Sequence, residues 1–206
     1  MLDVMSPLTR TLRLVGSWVG VSIGVPLLIR AELGVAPFDV LNTGVATATG
    51  WSLGVAFVVD ACAFYLAGWL LGATLGWACI VGTVIIGPMV NVALGVLPEQ
   101  EAMVPRLGFF IAGLLIIAVA ICTVITTELG AGPSEVFMLG LVVRGMGIVP
   151  ARWISDGFPL VVGALIGGAI GPGTLVFALC MGPMVKFGLG RLHYQPARGT
   201  TLTSHP

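Results

Sequence analysis

The sequence predicts an all-α membrane protein of six transmembrane helices, arranged as two inverted three-helix repeats, each with a short re-entrant or interfacial helix. Three observations lead there. The 206 residues are 57% hydrophobic and only 9% charged, with a mean hydropathy of +1.09; a soluble domain carries about 25% charged residues. Uncharged runs of spanning length recur along the chain. A segment in the first half returns in the second. A β-barrel would alternate apolar and polar residues in strands of about 10, and no such alternation is present.

The first repeat covers residues 1–98. Its first apolar run, between Arg13 and Arg30, reads as a span at about 12–30. Arg10 and Arg13 resemble the positive region of a signal peptide. No small-x-small cleavage site follows cleanly, however, and the next residues recur later, so the run is expected to be retained. A short segment at 37–48 follows, then a span at about 51–71. Ala61 to Pro98 holds no charge at all and is too long for one helix; Gly72-Ala73-Thr74-Leu75-Gly76 is the natural fold point, giving a third span at about 76–97. Residues 99–106, with Glu99, Glu101 and Arg106, read as an outer connector.

The second repeat covers 107–190. Leu107 to Thr127 is uncharged over 21 residues, one full span. A short helix at 133–144 follows, then spans at about 150–170 and 173–190, divided at Gly171-Pro172-Gly173. Residues 191–206 form a polar tail, expected to be cytoplasmic and disordered.

The duplication is the strongest internal signal. Glu32-Leu33-Gly34-Val35-Ala36-Pro37-Phe38-Asp39-Val40 aligns with Glu128-Leu129-Gly130-Ala131-Gly132-Pro133-Ser134-Glu135-Val136, 96 residues on. Gly44 then falls on Gly140 and Asp60 on Asp156. Gly87-Pro88-Met89-Val90 recurs unchanged as Gly182-Pro183-Met184-Val185, at an offset of 95. Composition bias scatters glycine and leucine matches; it does not place three acidic residues and an identical tetrapeptide in register.

A twelve-residue helix rises about 18 Å against a hydrocarbon core of about 30 Å, so the short segments are not spans. Pro37 and Pro133 at the first helical position, with Asp39 or Glu135 two residues later, make a sound helix start. Three spans per half is odd, so the halves should lie inverted. With the N-terminus inside, Arg10, Arg13, Arg144, Arg152, Lys186, Arg191 and Arg198 fall inside, and only Arg30 and Arg106 outside. That seven-to-two bias predicts six spans with both termini cytoplasmic.

The candidate binding residues are the three matched acid pairs, Glu32 with Glu128, Asp39 with Glu135, and Asp60 with Asp156, together with Asn42 on the first short helix. Carboxylates at membrane depth are costly and mark functional sites. Asp60 is the sharpest case: Arg152 precedes Asp156 by four residues and can neutralise it, whereas Ala56 occupies the matching place before Asp60. Asp60 must find another partner, bind a cation, or be protonated. Structural roles stand beside the functional ones: charges at helix ends for Glu32, Glu128, Asp39 and Glu135, and hydrogen bonds to the short helices for Asp60 and Asp156. Thr43 and Ser134 also sit on the short helices.

Other chemistries lack their residues. Cys62, Cys79, Cys122 and Cys180 lie in apolar runs without CxxC or metal-ligand spacing, and read as small buried hydrophobes. His193 and His205 belong to the polar tail. There is no Gly-x-x-x-x-Gly-Lys-Ser/Thr loop and no base beside Ser155. The formal net charge is zero, so nucleic acid is not an expected partner. No catalytic residue, metal or cofactor is expected.

At the paired Leu-Gly-x-x-Pro-x-acidic motifs, Leu33 to Asp39 and Leu129 to Glu135, the chain resembles the YczE/YitT group of bacterial membrane proteins. The second half is closer, through Gly130-Ala131-Gly132-Pro133, Arg144-x-x-Gly147, Gly171-x-Gly173-Thr174-Leu175 and Gly182-Pro183. The likeness covers about residues 12–190. It implies a multi-pass inner-membrane protein of an uncharacterised or candidate-transporter group, and supplies no binding residues. Where such motifs often carry Trp or Arg beside the acid, this chain has Phe38 and Ser134.

The leading expectation is a secondary transporter or permease of a small solute or ion, with a midplane site at the repeat interface. A proton or small cation would be handled by Asp60 and Asp156, and Gly16, Gly20 and Gly24 would allow close helix contacts. Two alternatives stay open: a non-transporting partner or modulator of another complex, and a channel-like pore, formed as a homodimer. The bilayer is the one partner common to all three.

Overall fold

The computed structural model describes residues 6–194. All regular structure among them is helical, in eight segments: α1 (Pro7–Ala31), α2 (Pro37–Thr49), α3 (Leu53–Leu70), α4 (Trp77–Val96), α5 (Met103–Ile125), α6 (Pro133–Val143), α7 (Ile148–Leu165) and α8 (Pro172–Arg191). Helices α1, α4, α5, α7 and α8 are long and apolar enough to cross a membrane. At 18 residues α3 is apolar and rises about 27 Å. The 13 residues of α2 and 11 of α6 rise only about 20 Å and about 16 Å. The tail expected at 191–206 is helical at Arg191; Arg198, His205 and the rest of 195–206 lie outside the described residues.

Local signals explain the helix starts. Ser6 accepts a hydrogen bond from the Thr9 amide at 3.2 Å, and Pro7 stands at the first helical position, so α1 begins ahead of the expected residue 12. Ser52 caps α3 in the same way. Pro37, Pro133 and Pro172 open α2, α6 and α8. α5 starts at Met103, inside the stretch read as connector; Pro105 is tolerated there because a first-turn amide has no helical partner.

The sequence repeat is also a conformational repeat. Glu32 (φ 51°), the C-cap of α1, and Glu128 (φ 56°), two residues past the C-cap of α5, both lie in the left-handed region, and Gly34 (φ 126°) and Gly130 (φ 136°) follow two residues on. Two non-glycine residues in that region are uncommon. Their matched positions show that each Glu-Leu-Gly turns the chain from a long helix into a short one.

Packing between the halves is reciprocal. α1 lies along α5 at the centre, while α4 packs on α1 and α8 on α5. The short helix of each half packs against the third helix of the other: α2 on α7, and α6 on α3. Both crossings run through paired glycines. A Cβ on Gly44 would lie 2.7 Å from the Gly163 carbonyl oxygen, and one on Gly140 would lie 2.8 Å from that of Gly68. The connecting turns follow suit: the Gly173 amide donates to the Leu33 carbonyl (2.7 Å), and the Ala78 amide to the Leu129 carbonyl (3.1 Å).

One departure from symmetry matters. α7 packs along α8, but α3 and α4 have no comparable contact. Tyr65 of α3 links them, its hydroxyl bonding the Cys79 carbonyl (3.1 Å) and Thr83 Oγ1 (3.0 Å). The Gly-Pro-Met-Val repeats register the difference. Gly182 faces α7, where an added Cβ would lie 3.2 Å from the Val149 carbonyl, whereas Gly87 meets nothing within 4 Å. Of the expected glycine stripe, Gly20 and Gly24 press against α5, and Gly16 faces open space.

Candidate functional site

In the second half the acids are bridged by an arginine. Arg152 on α7 donates from Nε to Asp156 Oδ2 at 2.7 Å and from Nη1 to Glu135 Oε1 on α6 at 2.6 Å. Arg152 is 2% exposed, Asp156 1% and Glu135 9%. The guanidinium suits this task because its planar fork serves two carboxylates at once and stays charged when buried. Ser134 Oγ donates to the Ser155 carbonyl at 3.3 Å and closes the same α6–α7 contact. Arg152 is one of the seven charges that the positive-inside pattern places on the inner side. Buried between two carboxylates, it carries no such information, and the bias becomes six to two.

The first half repeats the acids without the cation. Asp39 stands in the first turn of α2, half-buried, and its Oδ1 accepts from Asn42 Nδ2 at 3.2 Å. Asp60 lies on the buried stripe of α3 formed by Ala56, Asp60, Phe64 and Gly68. Ala56, the counterpart of Arg152, is fully buried and ends at its Cβ. Asp60 Oδ2 and Asn42 Oδ1 are both buried without a hydrogen-bond partner. Such groups are rare in folded proteins and call for a cause.

Five phenylalanine rings bind the two halves of the site together. Phe64 of α3 lies edge-on to Phe38 of α2 (5.1 Å between centroids) and to Phe137 of α6 (5.4 Å). Phe38 also meets Phe57 at 5.9 Å, and Phe158 of α7 is 6.2 Å from Phe64. Both short helices therefore approach one ring, α2 through its second residue and α6 through its fifth. Because Phe38 touches Phe57 and Phe64, one turn to either side of Asp60, the Asp60 side of α3 is the side facing the start of α2.

Glu32 and Glu128 belong elsewhere. Both are exposed at helix ends: Glu32 pairs with Arg106 at 2.5 Å, and Glu128 accepts from the Tyr194 hydroxyl at 3.2 Å. Arg30 pairs with Glu99 beside the Glu32–Arg106 end of the bundle. Among the described residues no group of His, Cys, Asp and Glu has an arrangement suited to a metal ion.

The reach of Arg152 to Glu135 is the contact sequence reasoning missed. The i,i+4 relation to Asp156 is visible along one helix, but Glu135 lies on another element and no local spacing reports it. The aromatic cluster was missed for the same reason: Phe64, Phe137 and Phe158 have no aromatic counterparts in the repeat.

The profile of a family of unknown function (DUF6198) matches residues 8–189. An uncharacterised protein of Haemophilus influenzae is 29% identical over 168 residues, covering 81% of this chain and 77% of that protein. YczE, an uncharacterised membrane protein of Bacillus subtilis, is 27% identical over 192 residues, covering 86% of each. The likeness read from the two Leu-Gly-x-x-Pro-x-acidic motifs thus holds for YczE. No solved structure matches.

Proposed function

The chain belongs to the DUF6198 family, a membrane protein family of unknown function, and we propose that it is a secondary carrier of a small solute or ion in the bacterial inner membrane. On this reading it has six spans in two inverted repeats, with α3 as the sixth span and both termini cytoplasmic. It is not an enzyme, and it needs no cofactor.

The observation that supports the reading best is the meeting of the two short helices. Each is seated on the opposite half through a glycine crossing, carries an acid in its first turn, and sends a phenylalanine to the ring of Phe64, Phe38 from α2 and Phe137 from α6. Carriers of inverted-repeat design place their sites at broken helices of this kind, where the two halves rock about a shared centre. A change at one short helix is mechanically a change at the other half.

Within this scheme the acids divide the work. Asp156 and Glu135 are held by Arg152 as a fixed ionic brace. Asp60, with Asp39 and Asn42 near it, is the exchangeable member. Flux of small charged solutes into vesicles reconstituted with the purified protein tests this. Transport should depend on Asp60, and Asp60→Asn should reduce it at least about tenfold. Flux unchanged in that variant would refute a carboxylate-coupled carrier.

A further inference from the structure

We propose that the first half takes from solution the cation that the second half carries as part of its own chain: a small N–H-bearing organic cation of the guanidinium class, held between Asp60, Asp39 and Asn42. The proposal rests on the carrier reading above and names the substrate class of that site.

The duplicated halves supply the comparison. In the second half an acid at the start of the short helix and an acid on the next helix are joined by one guanidinium, with contacts of 2.6 and 2.7 Å. In the first half both acids are kept at the matching positions, Asp39 and Asp60, and the guanidinium is replaced by the methyl group of Ala56. Loss of the cation alone would leave a buried carboxylate uncompensated, a strongly destabilising arrangement. An apolar replacement of Asp60 would relieve that cost. The chain instead keeps the acid and adds a further acceptor, Asn42, where the second half has Met138.

At Asp60 and Asn42 the unmet hydrogen-bonding capacity has one sign. Asp60 is 7% exposed and Asn42 2%, and their unpartnered atoms, Asp60 Oδ2 and Asn42 Oδ1, are both acceptors. The Asn42 amide already donates to Asp39, so its free oxygen lies at the same place. The helix dipole at the start of α2 partly compensates Asp39; Asp60, the eighth residue of α3, gets no such help. A planar cation with several N–H donors answers both free oxygens and the neighbouring Asp39 carboxylate. The neighbouring rings of Phe38, Phe57 and Phe64 favour an organic cation through their π faces over a strongly hydrated metal ion. The poor packing between α3 and α4 leaves the helix that bears Asp60 less confined than its counterpart α7.

The test uses the purified full-length protein in detergent, titrated with guanidinium chloride at millimolar concentration, far below denaturing levels. Tetramethylammonium, which has no N–H donors, and sodium are the parallel probes. Saturable heat and a rise in melting temperature are expected for guanidinium alone. Asp60→Asn should weaken binding at least about tenfold, and Asn42→Ala by a smaller factor. Because Asp60→Asn risks the fold, Arg152→Ala provides the internal standard. It should melt early and be rescued by guanidinium, as the free ion replaces the missing side chain.

Rescue of Arg152→Ala without any binding to the native protein overturns the proposal. So does sodium or tetramethylammonium binding as well as guanidinium does, or binding indifferent to both Asp60 and Asn42. Those failures leave the carrier reading intact as long as flux still depends on Asp60. Guanidinium binding that needs Asp60, with no flux of any solute, sinks the carrier reading and keeps the site.

Discussion

The carbonyl of Leu33 accepts a hydrogen bond from the amide of Gly173 at 2.7 Å, and that bond has a twin. Leu129 lies 96 residues after Leu33, and Ala78 lies 95 residues before Gly173; the Ala78 amide bonds the Leu129 carbonyl at 3.1 Å. The turn into each short helix is therefore anchored on the other half's hairpin.

The glycine crossings should tolerate no methyl group. A Cβ on Gly163 would sit 2.5–2.6 Å from the Val40–Leu41 backbone, and one on Gly68 2.7 Å from the Val136 carbonyl. Backbone cannot move aside as a side chain can. Gly163→Ala and Gly68→Ala should each cost about 1–3 kcal/mol, read from melting in detergent. Gly16→Ala and Gly87→Ala, with nothing within 4 Å, should be neutral or stabilise by up to about 1 kcal/mol through helix propensity.

Removing the arginine from the ionic brace should be severe. Arg152→Met leaves Glu135 and Asp156 buried without their cation and is expected to cost about 3–5 kcal/mol. Arg152→Lys should recover only part of it, because an ammonium does not present the planar fork that reaches both acids. Equal stability of Lys and Arg at this position would count against a two-armed role.

The exposed ion pair should contribute little. Glu32 and Arg106 have side chains 56% and 27% exposed, so Glu32→Gln should change stability by about 0–1 kcal/mol. The same variant should leave guanidinium affinity unaltered. A loss of affinity would move Glu32 into the binding site.

Tyr194 offers a titration outside the spans. Burial first, and the Glu128 carboxylate next, push its phenol from 10.0 up to about 12. The folded state holds the proton where an unfolded chain releases it. Its contribution to stability is thus whole below pH 10 and is lost as the pH climbs through about 12. Ultraviolet absorbance of the native protein minus Tyr194→Phe should show the late ionisation, and Glu128→Gln should bring it earlier. A difference curve centred near pH 10 would mean the phenol is in ordinary solvent.

What was legible in the chain was whatever lies within one helix or repeats in register. Asp156 with Arg152, and Asp60 without a partner at Ala56, follow from a spacing of four. That the two halves share short helices opened by Pro37 and Pro133 follows from the repeated Glu-Leu-Gly-x-x-Pro. Contacts between elements were not legible. Glu135 meets Arg152 because α6 packs on α7, and Glu32 pairs with Arg106 because α1 lies along α5. The matched acids looked like one set of six; the fold sends Glu32 and Glu128 to exposed helix ends and keeps the other four within. Nor does an identical Gly-Pro-Met-Val imply an identical role, since Gly182 has α7 against it and Gly87 has open space.

The twin bonds from Leu33 and Leu129 mean that the peptide link between α4 and α5 is not what keeps the molecule whole. Either half on its own would lack the opposite half's glycine crossing for its short helix and the hairpin that receives its turn. A protease cut between Val96 and Met103 should therefore yield two fragments that travel together through gel filtration in mild detergent. Genes encoding the fragments separately should need each other's product for either to accumulate.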